Sequence, residues 1–417
     1  MAASNPFRFL RKHPDFARYA SAFLPVQFGS QIEAVAIGWQ VYEVARRSNS
    51  IGDSAFMVGM VGLAQFVPMF ALTLVAGTLA DKISRKAIIM AALAAMALGA
   101  ATLAWLAGHA APDMNAIFAV AALFGASRAF LAPSASALVP MLVPRPDMPQ
   151  AIAVSTTAWM ASVIVGPGVG GLLVAHSVAW AYGVTAIAYV FGIAMIATIR
   201  TSSRPPKTTT HPLTMVREGL VYVWTNKIVF GAISLDLVAV LLGGATALLP
   251  AFASDILQVG PVGFGVLRAA PAVGGFAMVL YLSFFPIQRR AGVTMLWAVA
   301  AFGLATIVFG LSRSMPLSIF ALAVIGAGDM ISVNIRQTLI QIVTPDHMRG
   351  RVSAVSSVFI SASNELGEFE SGVLSKFVGP VMAAVIGGVG TLIVTGAWAW
   401  LFPALRKAGS LVTHPAE

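Results

Sequence analysis

Acidic side chains are scarce in this sequence, yet Glu365, Glu368 and Glu370 fall together in SASNELGEFESGVL, residues 361–374, between apolar flanks. Asp236, Asp329, Glu33, Arg128, Arg268 and Arg336 also stand inside long apolar runs. An ionisable group near the middle of a bilayer costs about 2.5–3.5 kcal/mol on insertion scales, so each needs a partner, a wet cavity or a changed protonation state. At about 100° per residue, Glu365 and Glu368 share one helix face roughly 60° apart, beside Ser361 and Asn364, while Glu370 points away. Two carboxylates this close share protons readily, and a carboxylate that gains and loses a proton as a cavity changes sides is what proton-coupled transport requires. Counting along the spans at 1.5 Å per residue puts Arg128, Asp236, Asp329, Glu365 and Glu368 nearest the middle. Glu33, Glu370 and Arg268 fall further out, and Arg336 near the inner edge.

Glu365, Glu368, Asp236 and Asp329 are therefore the candidates for proton coupling. Arg128, Glu33, Asn334 and Arg336 are the candidates for a substrate cavity. The plain alternative is that the acids pair with Arg268, Arg336 or backbone groups and never titrate. Arg128, a permanent cation, could meet an anionic substrate or hold Asp329 across a cavity, and both readings stand. Phe124, Trp159, Met330 and Gln65 either add lining or simply pack.

Elements long enough to carry these charges follow from composition. The chain is 58% hydrophobic and only 10% charged, with mean hydropathy +0.85, whereas soluble domains are about a quarter charged. Apolar segments fall near 16–44, 55–79, 87–108, 115–142, 150–175 and 179–199, and again near 228–253, 262–285, 292–311, 316–342, 352–377 and 380–403. Only helices satisfy their backbone within such segments. The expected architecture is an all-α membrane protein with twelve transmembrane helices in two six-helix bundles, 1–199 and 228–417. A linker at 200–227 contains a short amphipathic piece. With the N-terminus inside, the outer loops hold only Arg46, Arg47, Arg313 and Lys376, and nearly all other Lys and Arg outside the spans lie on the inner side. This is the positive-inside pattern. It places both termini in the cytoplasm and assigns the net charge of +10 to topology rather than to nucleic acid. No cleavable signal is apparent at NPFRFLRKHPDFARY. There is no Cys, which excludes disulfide, thiol and thiolate-metal chemistry. No nucleophile–base, P-loop or H-E-x-x-H pattern suggests an enzyme, and no cofactor or resident metal is expected.

The halves also resemble each other. VPRPDMPQAIAVSTTAWMASVIVGPGVGGLL (143–173) aligns with VTPDHMRGRVSAVSSVFISASNELGEFESGVL (343–374), and FGASR (124–128) with IGAGD (325–329). Gly166 then matches Gly367 and Gly171 matches Gly372, while Glu368 and Glu370 replace Pro167 and Val169, and Asp329 stands for Arg128. Parallel six-helix repeats are a recurrent transporter plan with the site near the midplane. Similar backbones have been given unequal charges, which a purely structural duplication does not require.

Gly77 to Lys86, GTLADKISRK, resembles the loop signature of the major facilitator superfamily, with Ser84 in place of its second Gly. GPGVGG, Gly166 to Gly171, is similar to the glycine/proline motif of that superfamily's exporters. It also matches G-x-G-x-x-G, but inside a span it lacks the strand that a dinucleotide site needs. HPDFARY and TPDHMRGRVSAV extend the resemblance to the enterobactin-exporter-like subgroup. The resemblance implies a cavity lined by spans 1, 4, 7 and 10, which rocks between inward-open and outward-open states. It assigns gating to Gly77, Asp81, Arg85 and Lys86, set against Arg349 and Arg351 at the start of span 11, and to Gly166, Pro167, Gly170 and Gly171. The function implied is a monomeric exporter in the bacterial inner membrane, driven by the proton gradient and moving a siderophore-like or drug-like molecule. A divalent-metal exporter of the same fold and a non-transporting accessory protein are the alternatives.

Overall fold

In the computed structural model, residues 6–80, 82–108, 113–201, 212–287 and 290–407 are described, and all regular structure among them is helical. A short α1 (Pro6–Lys12) leads into α2 (Pro14–Arg46), α3 (Ile51–Ala80), α4 (Arg85–Ala107), α5 (Met114–Leu142), α6 (Met148–His176) and α7 (Val178–Ala197). After the linker come α8 (Pro212–Thr225), α9 (Lys227–Gly243), the three-residue α10 (Leu249–Ala251), α11 (Gly260–Phe284), α12 (Ala291–Leu311) and α13 (Met315–Val343). The chain ends with α14 (Asp346–Leu401) and α15 (Pro403–Arg406). Ten helical stretches are long and apolar enough to cross a membrane. One of them, α14, is two helices meeting at Gly379, whose φ of 79° lies in the left-handed region that glycine tolerates, just before Pro380. Helix α2 is long enough to span but carries Gln27, Gln31, Glu33, Gln40 and Glu43. Counting α2, and α14 as two, gives the twelve expected spans.

The seventh span differs from the continuous helix that its apolar run suggests. Helix α9 stops at Gly243, a 3-10 turn follows at Ala245–Leu248, and a π-helical turn at Phe252–Ile256 completes the crossing. At the break, a Cβ on Gly244 would stand 2.9 Å from the carbonyl carbon of Gly367. Irregular backbone is tolerated at membrane depth where protein covers it.

The chain forms two compact units. The first comprises Met1–Val44, Ala64–Thr209 and Gly260–Ala269, and the second comprises Ala45–Leu63, Thr210–Val259 and Ala270–Glu417. Each thus takes a short segment from the opposite half of the sequence. In the first unit α4 packs on α5 and α7, and Tyr42, Leu93, Met96, Phe124, Tyr182 and Tyr189 are buried. Asp15, at the start of α2, accepts from the backbone and hydroxyl of Thr201 (2.8 and 2.5 Å) and from Arg18 (2.5 Å), tying α2 to the end of α7. Burial alone would push this carboxyl up, but the hydrogen bonds, that of the Thr201 hydroxyl foremost, hold it down to about 2. In the second unit α14 packs on α9 and α12, and α12 on α13.

Helices in lipid gain little from apolar burial against one another, so small residues that permit close approach decide their pairing. Gly166 faces Gln31 of α2, and Gly171 lies against the segment of α11 around Gly265; both contacts are within the first unit. Their repeat partners behave alike in the second, where Gly367 meets Val240 and Leu241 of α9 and Gly372 meets Gly59 of α3. The aligned glycines thus do the same mechanical task on two different sets of neighbours.

Candidate functional site

Among the described residues, each unit holds an intramembrane ion pair that joins the first and fourth spans of a repeat. In the first, Arg128 of α5 donates through Nη2 to Glu33 Oε1 of α2 (2.9 Å) and through Nη1 to Gln65 Oε1 of α3 (2.6 Å). The Tyr189 hydroxyl of α7 donates to Glu33 Oε2 (2.5 Å). Glu33 is wholly buried, whereas the Arg128 side chain is 27% exposed. The carboxylate is therefore the fixed member and the guanidinium the accessible one. Gly125 explains how Gln65 arrives, because the α3 backbone at Gln65 occupies the space its Cβ would fill. Gly125→Ala should therefore push α3 away and cost about 1–3 kcal/mol by overpacking. Thermal unfolding of the variant beside the parent checks this, and an unchanged melting temperature would show that α3 yields freely.

Arg128 lines a cavity of about 720 Å³ whose other walls include Phe23, Gln27, Ser30, Met69 and Thr156, all in the first unit. The surface is mainly apolar, with a few hydroxyls and amides and one cation. Such a site fits a small amphipathic molecule with an anionic or strongly accepting group. Phe124, by contrast, is wholly buried packing.

In the second unit Asp236 of α9 pairs with Arg336 of α13, both almost fully buried. Arg336 Nε and Nη2 and the Ser332 hydroxyl have no hydrogen-bond partner among the described residues. Asp329, two turns before Arg336 on α13, interacts electrostatically with both Asp236 and Arg336. A small cavity lies between Asp236, Asp329, Ser332, Gly328 and Phe302. Asp236 is thus the ion-pair partner of Arg336, with Asp329 within electrostatic reach of both. Counting residues from the span ends had separated Arg336 from Asp236, and Glu33 from Arg128. Helices of 29 to 33 residues overrun the membrane, so their ends are poor markers of depth.

The glutamates of α14 lie elsewhere in the second unit, and all three are half-buried. Gly62 of α3 sits against two of them, and a Cβ there would stand 3.4 Å from both Glu368 Oε2 and the Glu365 carbonyl. Glu370 accepts a long hydrogen bond from Ser371 (3.4 Å). Asn334 and Asn364 are exposed.

The loop motif is divided. Asp81 lies outside the described residues, and among those described nothing comes within 4 Å of a Cβ placed on Gly77. Arg85 donates to the Ala137 carbonyl of α5 (2.7 Å). Lys86 donates to the Ala197 and Ile199 carbonyls (2.7 and 2.8 Å), capping the negative end of α7. Arg349 pairs with Asp346 (2.8 Å) and Arg351 with Glu218 of α8. In the second glycine motif, Gly166 and Gly170 seat α6 on α2 at Gln31 and at Ile32 and Val35, while Pro167 and Gly171 face α11. Sequence reasoning missed Tyr189, since a lone Tyr in a span carries no signal until an acid is found beside it. Among the described residues no three of His, Asp or Glu gather as a metal site.

Comparisons with known proteins bear on the family and the fold. The enterobactin exporter EntS of Shigella boydii serotype 4 is 27% identical over 386 residues, covering 92% of this chain and 91% of the relative. EntS of Escherichia coli O157:H7 (strain EC4115 / EHEC) matches with the same identity and coverage. Among solved structures, a POT family transporter in complex with a thioalcohol-conjugated peptide superposes with TM-score 0.73 at 10% identity, covering 94% of this chain and 96% of that one. A D-xylose–proton symporter superposes with TM-score 0.70 at 10% identity, covering 94% and 98%. Residues 6–416 match the family described as transmembrane secretion effector. The chain belongs to that family, and is a multi-pass membrane transporter of the major facilitator superfamily rather than an enzyme.

Proposed function

We propose that the protein is a proton-driven exporter of a small amphipathic organic molecule. It works as a monomer by alternating access in the bacterial inner membrane, with both termini in the cytoplasm. The observation that carries the reading is the buried Asp236–Arg336 pair with a second carboxylate, Asp329, lining the same small cavity and within electrostatic reach of both. Two carboxylates against one guanidinium leave an excess negative charge, so the electroneutral form of the trio carries one proton. Moving Arg336 between the acids exchanges which of them is free to take it. The cavity beside Arg128 supports an amphipathic substrate with an acidic or catechol-like group, of the siderophore-like class that the exporter relatives suggest. A drug-like compound with the same polarity fits equally.

Proteoliposomes test this with a catecholate probe and an imposed pH gradient. Asp329→Asn should keep probe binding and probe-for-probe exchange but lose gradient-driven accumulation. Retained accumulation would remove Asp329 from coupling and pass the role to Glu365 and Glu368, tested as Glu365→Gln and Glu368→Gln.

A further inference from the structure

The linker helix α8 has features that transport does not use. Its Gly219 and Val223 are buried against the rest of the second unit, and a Cβ on Gly219 would stand 2.9 Å from the Arg351 carbonyl and 3.0 Å from Val355. The opposite face exposes Leu220 (43%), Val221 (55%) and Trp224 (76%), with Arg217 one turn before Leu220 and Val221 on the same side. Trp224 is not loose, because its ring packs on Phe230 of α9 at 4.9 Å. The Asn226 side chain caps the start of α9, so α8 ends where a span begins. A helix with an apolar outer face, a basic residue on it and a Trp at the membrane edge has the makeup of one lying in the interface.

Beneath this face is a cavity of about 560 Å³ lined by Arg217, Glu218, Val221, Tyr222, Thr225, Pro345, Met348 and Arg351. Arg351 is held there by Glu218. Two arginines and one acid leave an unbalanced positive charge. We propose that this cavity binds the headgroup of an anionic phospholipid of the inner leaflet, with its phosphate between Arg217 and Arg351 and its chains along Val221 and Trp224. A soluble phosphate accounts for the arginines but not for the adjoining exposed apolar residues. Because Arg351 lies in the first turns of α14 and Gly219 packs on its carbonyl, an occupied site links lipid composition to the position of that span. The assignment to the inner leaflet rests on the proposed orientation, whereas the lipid site itself does not depend on transport.

The test uses the full chain in nanodiscs of phosphatidylcholine with a minor share of brominated phosphatidylglycerol or, in parallel, brominated phosphatidylcholine. Trp224 emission is isolated as the difference from Trp224→Phe. The expected result is stronger quenching by the anionic lipid at equal mole fraction. Each of Arg217→Ala and Arg351→Ala should reduce that preference about five-fold. Glu218→Gln, which releases Arg351, should increase it. Equal quenching by the two lipids, or no response to Glu218→Gln, overturns the proposal. Displacement of the quenching by soluble glycerol 3-phosphate overturns it in favour of a water-soluble phosphate ligand.

Discussion

Replacing Asp236 with Ala and Asp329 with Asn in one chain should destabilise the protein by about 3–5 kcal/mol, whereas Arg336→Met should cost far less. The difference comes from which charge can be shed. Arg336 is 1% exposed, and a guanidinium is a permanent cation. Without both acids it remains an uncompensated cation in a low-dielectric interior. Asp236 and Asp329, left without Arg336, can each take up a proton and become neutral. Removing Asp236 alone should be milder than removing both acids, because Asp329 already interacts with Arg336 and can receive it. Thermal or denaturant unfolding in detergent measures all three variants. Equal losses for the acid and arginine variants would show that packing around Phe302 and Val299, rather than charge, sets the cost.

Arg128→Ala should lower kcat/KM for an anionic substrate about 10–100-fold, since a hydrogen bond to a charged group is worth about 1.5–3 kcal/mol. Transport of a neutral probe of similar size should change little. Protein yield should fall only moderately, because Glu33 keeps the Tyr189 hydroxyl on Oε2 and can take a proton on Oε1. Arg128→Lys should fall between, as one ammonium cannot reproduce the fork that reaches Gln65 and Glu33 at once. Uptake into inverted vesicles with paired anionic and neutral probes measures this. An equal loss for both probes would assign Arg128 to holding α2, α3 and α5 together, and would remove it from substrate recognition.

Twelve spans were legible because a bilayer permits one solution for long apolar runs, and because charged residues and Pro/Gly breaks separate those runs. The internal repeat was legible for a related reason. Glycines whose missing Cβ admits a neighbouring backbone, as at Gly171, Gly367 and Gly372, cannot be exchanged without moving a helix. The break in the seventh span was not legible. Gly244 within an apolar stretch reads as any membrane glycine until Gly367 is seen pressed against it.

The candidate site divides along the same line. By itself the sequence determined that Glu33, Arg128, Asp236, Asp329 and Arg336 are inside the membrane and must be compensated, because the cost of an exposed charge in hydrocarbon does not depend on the details of packing. It did not determine who compensates whom. A carboxylate on one span can reach a cation on any of several neighbours, and small differences in helix tilt and rotation choose among them. Only the tertiary structure decided that Arg128 is held by Glu33 and Gln65 within its own unit, that Asp236 pairs with Arg336 beside Asp329, and that Lys86 caps α7. Pairing is a property of distances between helices, and those distances are set by the small residues through which the helices touch.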